Sequence, residues 1–240
     1  MKTTNDILWA AHTRDEFPAL ARQGAVVIVP IGSLEQHGQH LPLNTDCRTV
    51  EAVAYRAARR VEGTPVLVLP TIPLGVSPHH MQFPGTISLS VQTVVQVLHD
   101  VCAGLVAHGF DRILILSGHG GNGGTVSAAA LELSHQLKRP IIGCCWWDLC
   151  APEINAIVEG PQPGIGHSGE IETSILLAEA PALVRREKLA LVPGITDNPA
   201  RGTAAKGEAV VEAGAAALVR LLEKMAALPA QEPPAVEPAE

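Results

Sequence analysis

Four short apolar runs punctuate the chain, and longer stretches with helically spaced apolar positions separate them. The runs are AVVIVPI (25–31), TPVLVLP (64–70), RILILS (112–117) and PIIGCCWW (140–147). Each is rich in Val, Ile and Leu without clean alternation, which is the pattern of strands buried on both faces. Helical patterns fill roughly 46–61, 91–108, 125–137, 171–180 and 203–226. Strands alternating with helices predict an α/β fold with a mainly parallel sheet covered on both sides. No repeat or linker interrupts the pattern. Residues 1–228 are expected to form one domain, and the Pro- and Glu-rich 229–240 a disordered tail.

Composition narrows the partners. Hydrophobic residues make up 47% and charged residues 17%, as in a globular protein. The net charge is −7 with no basic cluster, which excludes nucleic acid as an expected partner. No apolar run reaches the length of a membrane span, and the start has no signal-type core, so a soluble cytoplasmic protein is expected. Five cysteines form no C-x-x-C pair and read as small core residues, Cys47 included although it follows Asp46.

In an open parallel sheet, ligands bind at the carboxyl ends of the strands. The first strand runs into GSLEQHGQHLPLNTD (32–46), which carries Glu35, His37, His40 and Asp46. Imidazole and carboxylate together suit zinc, manganese or iron(II). In an extended segment, Glu35 and His37 would point the same way. Asp46 heads a helix, where it could instead cap the N-terminus. The third strand runs into SGHGGNGG (117–124), which contains His119. Gly118, Gly120 and Gly123 there also spell G-x-G-x-x-G, the signature of a dinucleotide site. That reading wants an acid about 20 positions on, but Asp148 comes 30 after Gly118, and the signature leaves Glu35, His37 and Asp46 unexplained. A third segment, GIGHSGEIETS (164–174), brings His167, Glu170 and Glu172 to the start of a helix, where the two acids could serve the helix dipole instead.

GSLEQHGQHLPLNTD, GVSPHHMQFPGTISL, SGHGGNGG and GHSGEIETS occur in this order, and GTAAKG follows at 202–207. In these motifs the chain resembles the creatininase family of metal-dependent amidohydrolases over about residues 25–210. The resemblance implies a three-layer α/β/α domain, two divalent ions (Zn, Mn or Fe(II)) and a homo-oligomer, commonly a hexamer. By motif, Glu35 and His119 look like ligands of one ion and His37 of the other, with Asp46 bridging. Creatininase proper completes the second site with a glutamate where this chain has Gly121, so Glu170 is expected to take that role. His167 resembles the catalytic histidine.

The implied reaction is cleavage of a C–N bond in a small amide, cyclic amide or formamide by a metal-bridging hydroxide. His167 would protonate the departing nitrogen, and the backbone N–H groups of Gly120 and Gly121 would hold the oxyanion. His80 is expected to contact substrate or to pack its loop, and His40 and Asn122 to orient ligands. Trp146 and Trp147 are expected in packing. No aromatic residue precedes His167 as in creatinine-cleaving members. Alternative family activities are a peptidase on a peptide-derived cofactor precursor of mycofactocin type and a formylaminopyrimidine deformylase. An NAD- or FAD-binding oxidoreductase is the competing class.

Overall fold

In the structure, a computed structural model that describes residues 3–229, the four apolar runs form β1 (Val26–Ile31), β2 (Val66–Val68), β3 (Arg112–Ser117) and β4 (Ile141–Cys145). They pair in the order β2–β1–β3–β4, all parallel. Val26 stands in register with Val66 on one side and Arg112 on the other, and Ile113 with Ile141. Alternate residues feed two separate cores. Val26, Ile28, Leu114 and Leu116 face α3 (Thr45–Ala58), α6 (Ala151–Ile157), α7 (Glu170–Glu179) and α8 (Ala204–Ala226). Val27, Val29, Ile113 and Ile115 face α4 (Val91–Ala107) and α5 (Gly123–Leu137). Three layers result, as expected, because each strand is apolar on both faces.

Some elements differ from the pattern. Strand β2 is short because Pro65 and Pro70 flank it and offer no N–H to a ladder. Strand β4 ends at Cys145, whose N–H donates to the Asp148 carboxylate as Trp146–Leu149 turn into a 3-10 helix. The short helices α1 (Thr4–Ile7), α2 (Phe17–Arg22) and α6 are too brief for periodicity to announce. All but the first residue of the expected tail lies outside the described residues. No helix among the described residues is long and apolar enough to cross a membrane.

The topology places a crevice. From β1 the chain departs through α3 on one face, and from β3 through α5 on the other. The adjacent ends of β1 and β3 therefore diverge, which is the switch point where open α/β sheets bind ligands.

Candidate metal centre

Both diverging ends carry the chemistry the motifs promised. After β1, Leu34 bridges to Ile87 and the N–H of Glu35 donates to Leu43 O, folding 32–44 back onto the sheet. Gly118 after β3 lets α3 come close, since a Cβ there would lie 2.2 Å from Asp46 O. Asp46 is thereby delivered between two histidines from different loops. Its Oδ1 lies 3.1 Å from His37 Nε2 and its Oδ2 3.1 Å from His119 Nδ1. The carboxylate faces these rings and caps nothing. Glu35 sends Oε2 to the Ser77 hydroxyl and leaves Oε1 3.3 Å from both His119 Nδ1 and His167 Nδ1. Glu35, His37 and Asp46 are at most 2% exposed.

The outer nitrogens of the two ligand-type histidines are committed to backbone. His37 Nδ1 lies 3.1 Å from Glu35 O, and His119 Nε2 lies 3.0 Å from Val76 O. A carbonyl only accepts, so each outer nitrogen carries a proton and each inner one faces carboxylate. Gly121 makes room for the second of these bonds, because a Cβ there would stand 2.4 Å from both His119 Nε2 and Val76 O. A glutamate at this position would collide with that bond.

Glu170 does not reach the centre, contrary to the expectation that it completes the second site. Its carboxylate accepts from Lys206 Nζ at 2.6 Å and from the N–H groups of Glu159 and Gly160. Glu172 is the acid turned inward, with Oε2 3.6 Å from His37 Nε2 and taking the Ser168 N–H. The physical reason is helical. Glu170 opens α7, and residues two apart in a helix lie about 200° apart around the axis. His37, Asp46 and Glu172 offer ligand atoms within 4.8 Å of one another, and so do Glu35, His79 and His119, and Glu35, His37 and His167.

His79 is a site residue that sequence reasoning missed. It sits beside His80 in the 3-10 turn Pro78–His80 and stacks parallel to His119 at 5.8 Å. His80 packs on His167 at 4.3 Å and lines the cavity, so it belongs to the site rather than to loop packing alone. His40 bonds Thr173 on α7 at 2.9 Å, and Asn122 ties Val76 N to Gly32 O. Cys47 packs nearby, its thiol pushed up to about 12 by burial and then by Asp46. Trp146 is fully buried in the core and Trp147 packs against it, as expected, but Trp147 also lines the cavity.

The cavity holds about 570 Å³ over a floor of Glu35, Asp46, His119 and Glu172. Gly120, Gly121, Trp147, Ile165, His167 and Ile195 stand in its wall, and no Lys or Arg lines it among the described residues. The electrostatics ask for positive charge at the floor. Burial opposes charge on His119 and His37, but Asp46 with Glu35 and Asp46 with Glu172 outweigh it. His119 rises to about 10, and His37 rises well above its ordinary value. Asp46 is held low despite burial by His37 and His119. The outlying rings go the other way. Burial and then His167 bring His80 down to about 4, and burial and then His37 lower His167. Glu35 Oε1 and Asp46 Oδ2 are buried and accept no well-aligned hydrogen bond, with only imidazole nitrogens facing them. Two orphaned carboxylate oxygens, facing nitrogens whose opposite sides are committed, suit divalent cations, which would displace the protons on His37 and His119.

Fold and centre together define a class: a parallel α/β/α protein with a histidine–carboxylate centre at the carboxyl ends of its strands. The chain belongs to the creatininase family, whose profile, described as creatinine amidohydrolase, matches residues 10–222. The motif resemblance is thus confirmed. The chain is similar to the mycofactocin precursor peptide peptidase of Mycobacterium tuberculosis (strain CDC 1551 / Oshkosh), 34% identical over 169 residues, covering 68% of this chain and 61% of that protein. The match therefore spans about three fifths of that relative's length. It is also similar to creatinine amidohydrolase of Pseudomonas putida, 29% identical over 205 residues, covering 78% and 77%. A solved structure described as creatininase Mn superposes with a TM-score of 0.78 at 25% identity over 93% of this chain and 100% of its own. A Glu-to-Gln creatininase mutant of Zn–Zn type gives 0.79 at 25% identity, covering 95% and 100%.

Proposed function

We propose that the chain is a hydrolase of amide C–N bonds that works with two divalent ions on an unphosphorylated substrate. The observation that carries this reading is the division of Asp46 between His37 and His119, with one of its oxygens left orphaned. Glu35, Asp46 and His119 would hold one ion, and His37, Asp46 and Glu172 the other. The neighbouring creatininase structures described as Mn and Zn–Zn forms support such ions here. Ions so placed supply Lewis acidity, polarising a carbonyl and easing the ionisation of water.

The chain's own residues supply the rest. His167 turns Nδ1 toward Glu35 Oε1 at the centre and is only partly exposed. It takes a proton from the attacking water and returns it to the departing nitrogen as the new C–O bond replaces C–N. Gly120 and Gly121 open the 3-10 turn Gly120–Asn122, whose first N–H groups have no acceptor within the turn and serve the developing oxyanion. Trp147, Ile165 and Ile195 shield the apolar part of the substrate from water. Among the described residues no Lys or Arg stands in the wall to pair a nucleotide phosphate, which favours an amide substrate over the deformylase reading.

A peptidase on a modified peptide is the second reading. It is favoured by the 34% identity to the mycobacterial peptidase and by a cavity of about 570 Å³, within the range for drug-sized ligands. Assembly as a homo-oligomer belongs to the same proposal, and light scattering tests it. The activity test is a panel of creatinine, small amides, lactams and short peptides, run with metal, after chelation and after readdition of Zn or Mn. Chelation is expected to abolish hydrolysis and readdition to restore it. Full turnover in the chelated protein, with metal absent by elemental analysis, would contradict the reading.

A further inference from the structure

Gln36 lies between two ligand-type residues, is 6% exposed, and touches both outlying histidines of the cavity. Its Oε1 accepts the Gly38 N–H at 2.9 Å, which fixes the amide orientation, because the opposite flip would set N–H against N–H. Its Nε2 then meets three acceptor positions: Gly194 O, His167 Nε2 at 3.0 Å and His80 Nδ1 at 3.2 Å. Its backbone carbonyl lies 3.0 Å from the same His167 Nε2.

Counting hydrogens resolves the network. A primary amide has two N–H bonds, and the carbonyl of Gly194 takes one of them, since it can only accept. One hydrogen remains for two imidazole nitrogens. Among the described residues His80 Nδ1 bonds only to Gln36, whereas His167 Nε2 has the Gln36 carbonyl as an alternative. A neutral imidazole has one N–H and one lone pair. The arrangement that pairs every group facing Gln36 gives the remaining amide hydrogen to His80 Nδ1 and has His167 Nε2–H donate to the carbonyl, which leaves His167 Nδ1 bare toward Glu35 Oε1.

We propose that Gln36 is a positioning residue: its side chain holds His80 with a bare Nδ1, and its carbonyl holds His167 with a protonated Nε2. Both rings are then the same tautomer, but they meet the centre in opposite senses. His167 presents its lone pair at Nδ1, and His80 presents an N–H at Nε2, 3.3 and 3.9 Å respectively from Glu35 Oε1. Resting on the hydrolase reading, this makes His167 the proton acceptor and His80 a hydrogen-bond donor to substrate, both set by one residue.

The test is the pair Gln36→Glu and Gln36→Met in the full chain labelled with 15N-histidine, read by long-range 1H–15N correlation. A glutamate side chain can only accept toward His80 and is expected to convert it to the Nδ1–H tautomer while His167 keeps Nε2–H, because the backbone carbonyl remains. Gln36→Met, the variant to use if Gln36→Glu impairs folding, is expected to leave His80 as a mixture of both tautomers. A His80 that stays wholly Nε2–H in the variant that folds overturns the proposal, as does a His167 that changes while His80 does not. In turnover, loss of the donor at His80 is expected to raise KM about tenfold with kcat much less affected, as for lost uniform binding. If the wild type hydrolyses nothing, the hydrolase reading fails, while the tautomer readout still decides the role of Gln36.

Discussion

Glu170 and Glu172 are two buried carboxylates two residues apart in the same motif, and their surroundings are opposite. Glu170 is saturated by an ammonium and two backbone N–H groups. Glu172 takes one N–H and faces the cluster in which Glu35 Oε1 and Asp46 Oδ2 accept no well-aligned hydrogen bond. Burying a carboxylate without full pairing costs several kcal/mol, so a folded chain keeps such a group only where something else completes it. The satisfied carboxylate here is tied into the architecture, and the unsatisfied pair lines the candidate site. Here Glu170 and Lys206 lock the 159–160 turn to α8 and so frame the loop that carries His167, while Glu172 faces His37 and the cavity.

The sharpest way to break the contrast is to remove the residue shared by both halves of the centre. Asp46→Ala is expected to lose most bound metal and to lower kcat/KM by about 10⁴ or more, as for residues that act as a unit. Metal analysis and turnover on the same sample check both. His167→Ala should cost about 10²–10⁴ in kcat with metal content unchanged. Metal loss in that variant would move His167 into the ligand set, a role its grouping with Glu35 and His37 would permit.

On the architectural side, Glu170→Gln is expected to retain metal and to lose on the order of 2 kcal/mol in denaturant unfolding, because Lys206 and the α7 start lose a charged partner. The pH dependence has a definite sign. Burial would raise the Glu170 carboxyl, but Lys206 and the Glu159 and Gly160 N–H groups outweigh it and lower it. A carboxyl held low stabilises the fold above its unfolded pKa and loses that contribution as pH falls through the lowered value. Part of the acid destabilisation of the wild type should therefore be absent in Glu170→Gln, and an unchanged acid profile would separate the pair from stability.

Much of this was legible in the sequence, for reasons that differ by element. The long helices announced themselves because burial on one face imposes periodicity over many residues, and the strands because burial on both faces leaves short unbroken apolar runs. Glu35, His37, Asp46 and His119 were legible because the motif places them on strand ends that parallel sheets use for ligands. The choice between Glu170 and Glu172 was not, because it turns on where α7 begins, and a shift of two residues rotates a side chain to the other side of the helix. His79, Trp147 and the role of Gln36 were invisible for another reason. Gln36 gains its partners from 80, 167 and 194, and only the folded topology brings those loops together.

The central claim is that Glu172, not Glu170, completes the second half of the centre. Metal stoichiometry of Glu172→Gln and Glu170→Gln, measured side by side with the wild type by elemental analysis after equilibration with zinc, tests it most directly. For a two-metal site, about two ions per chain are expected in the wild type and in Glu170→Gln, and about one in Glu172→Gln. A full complement in Glu172→Gln with a lost ion in Glu170→Gln would contradict the account.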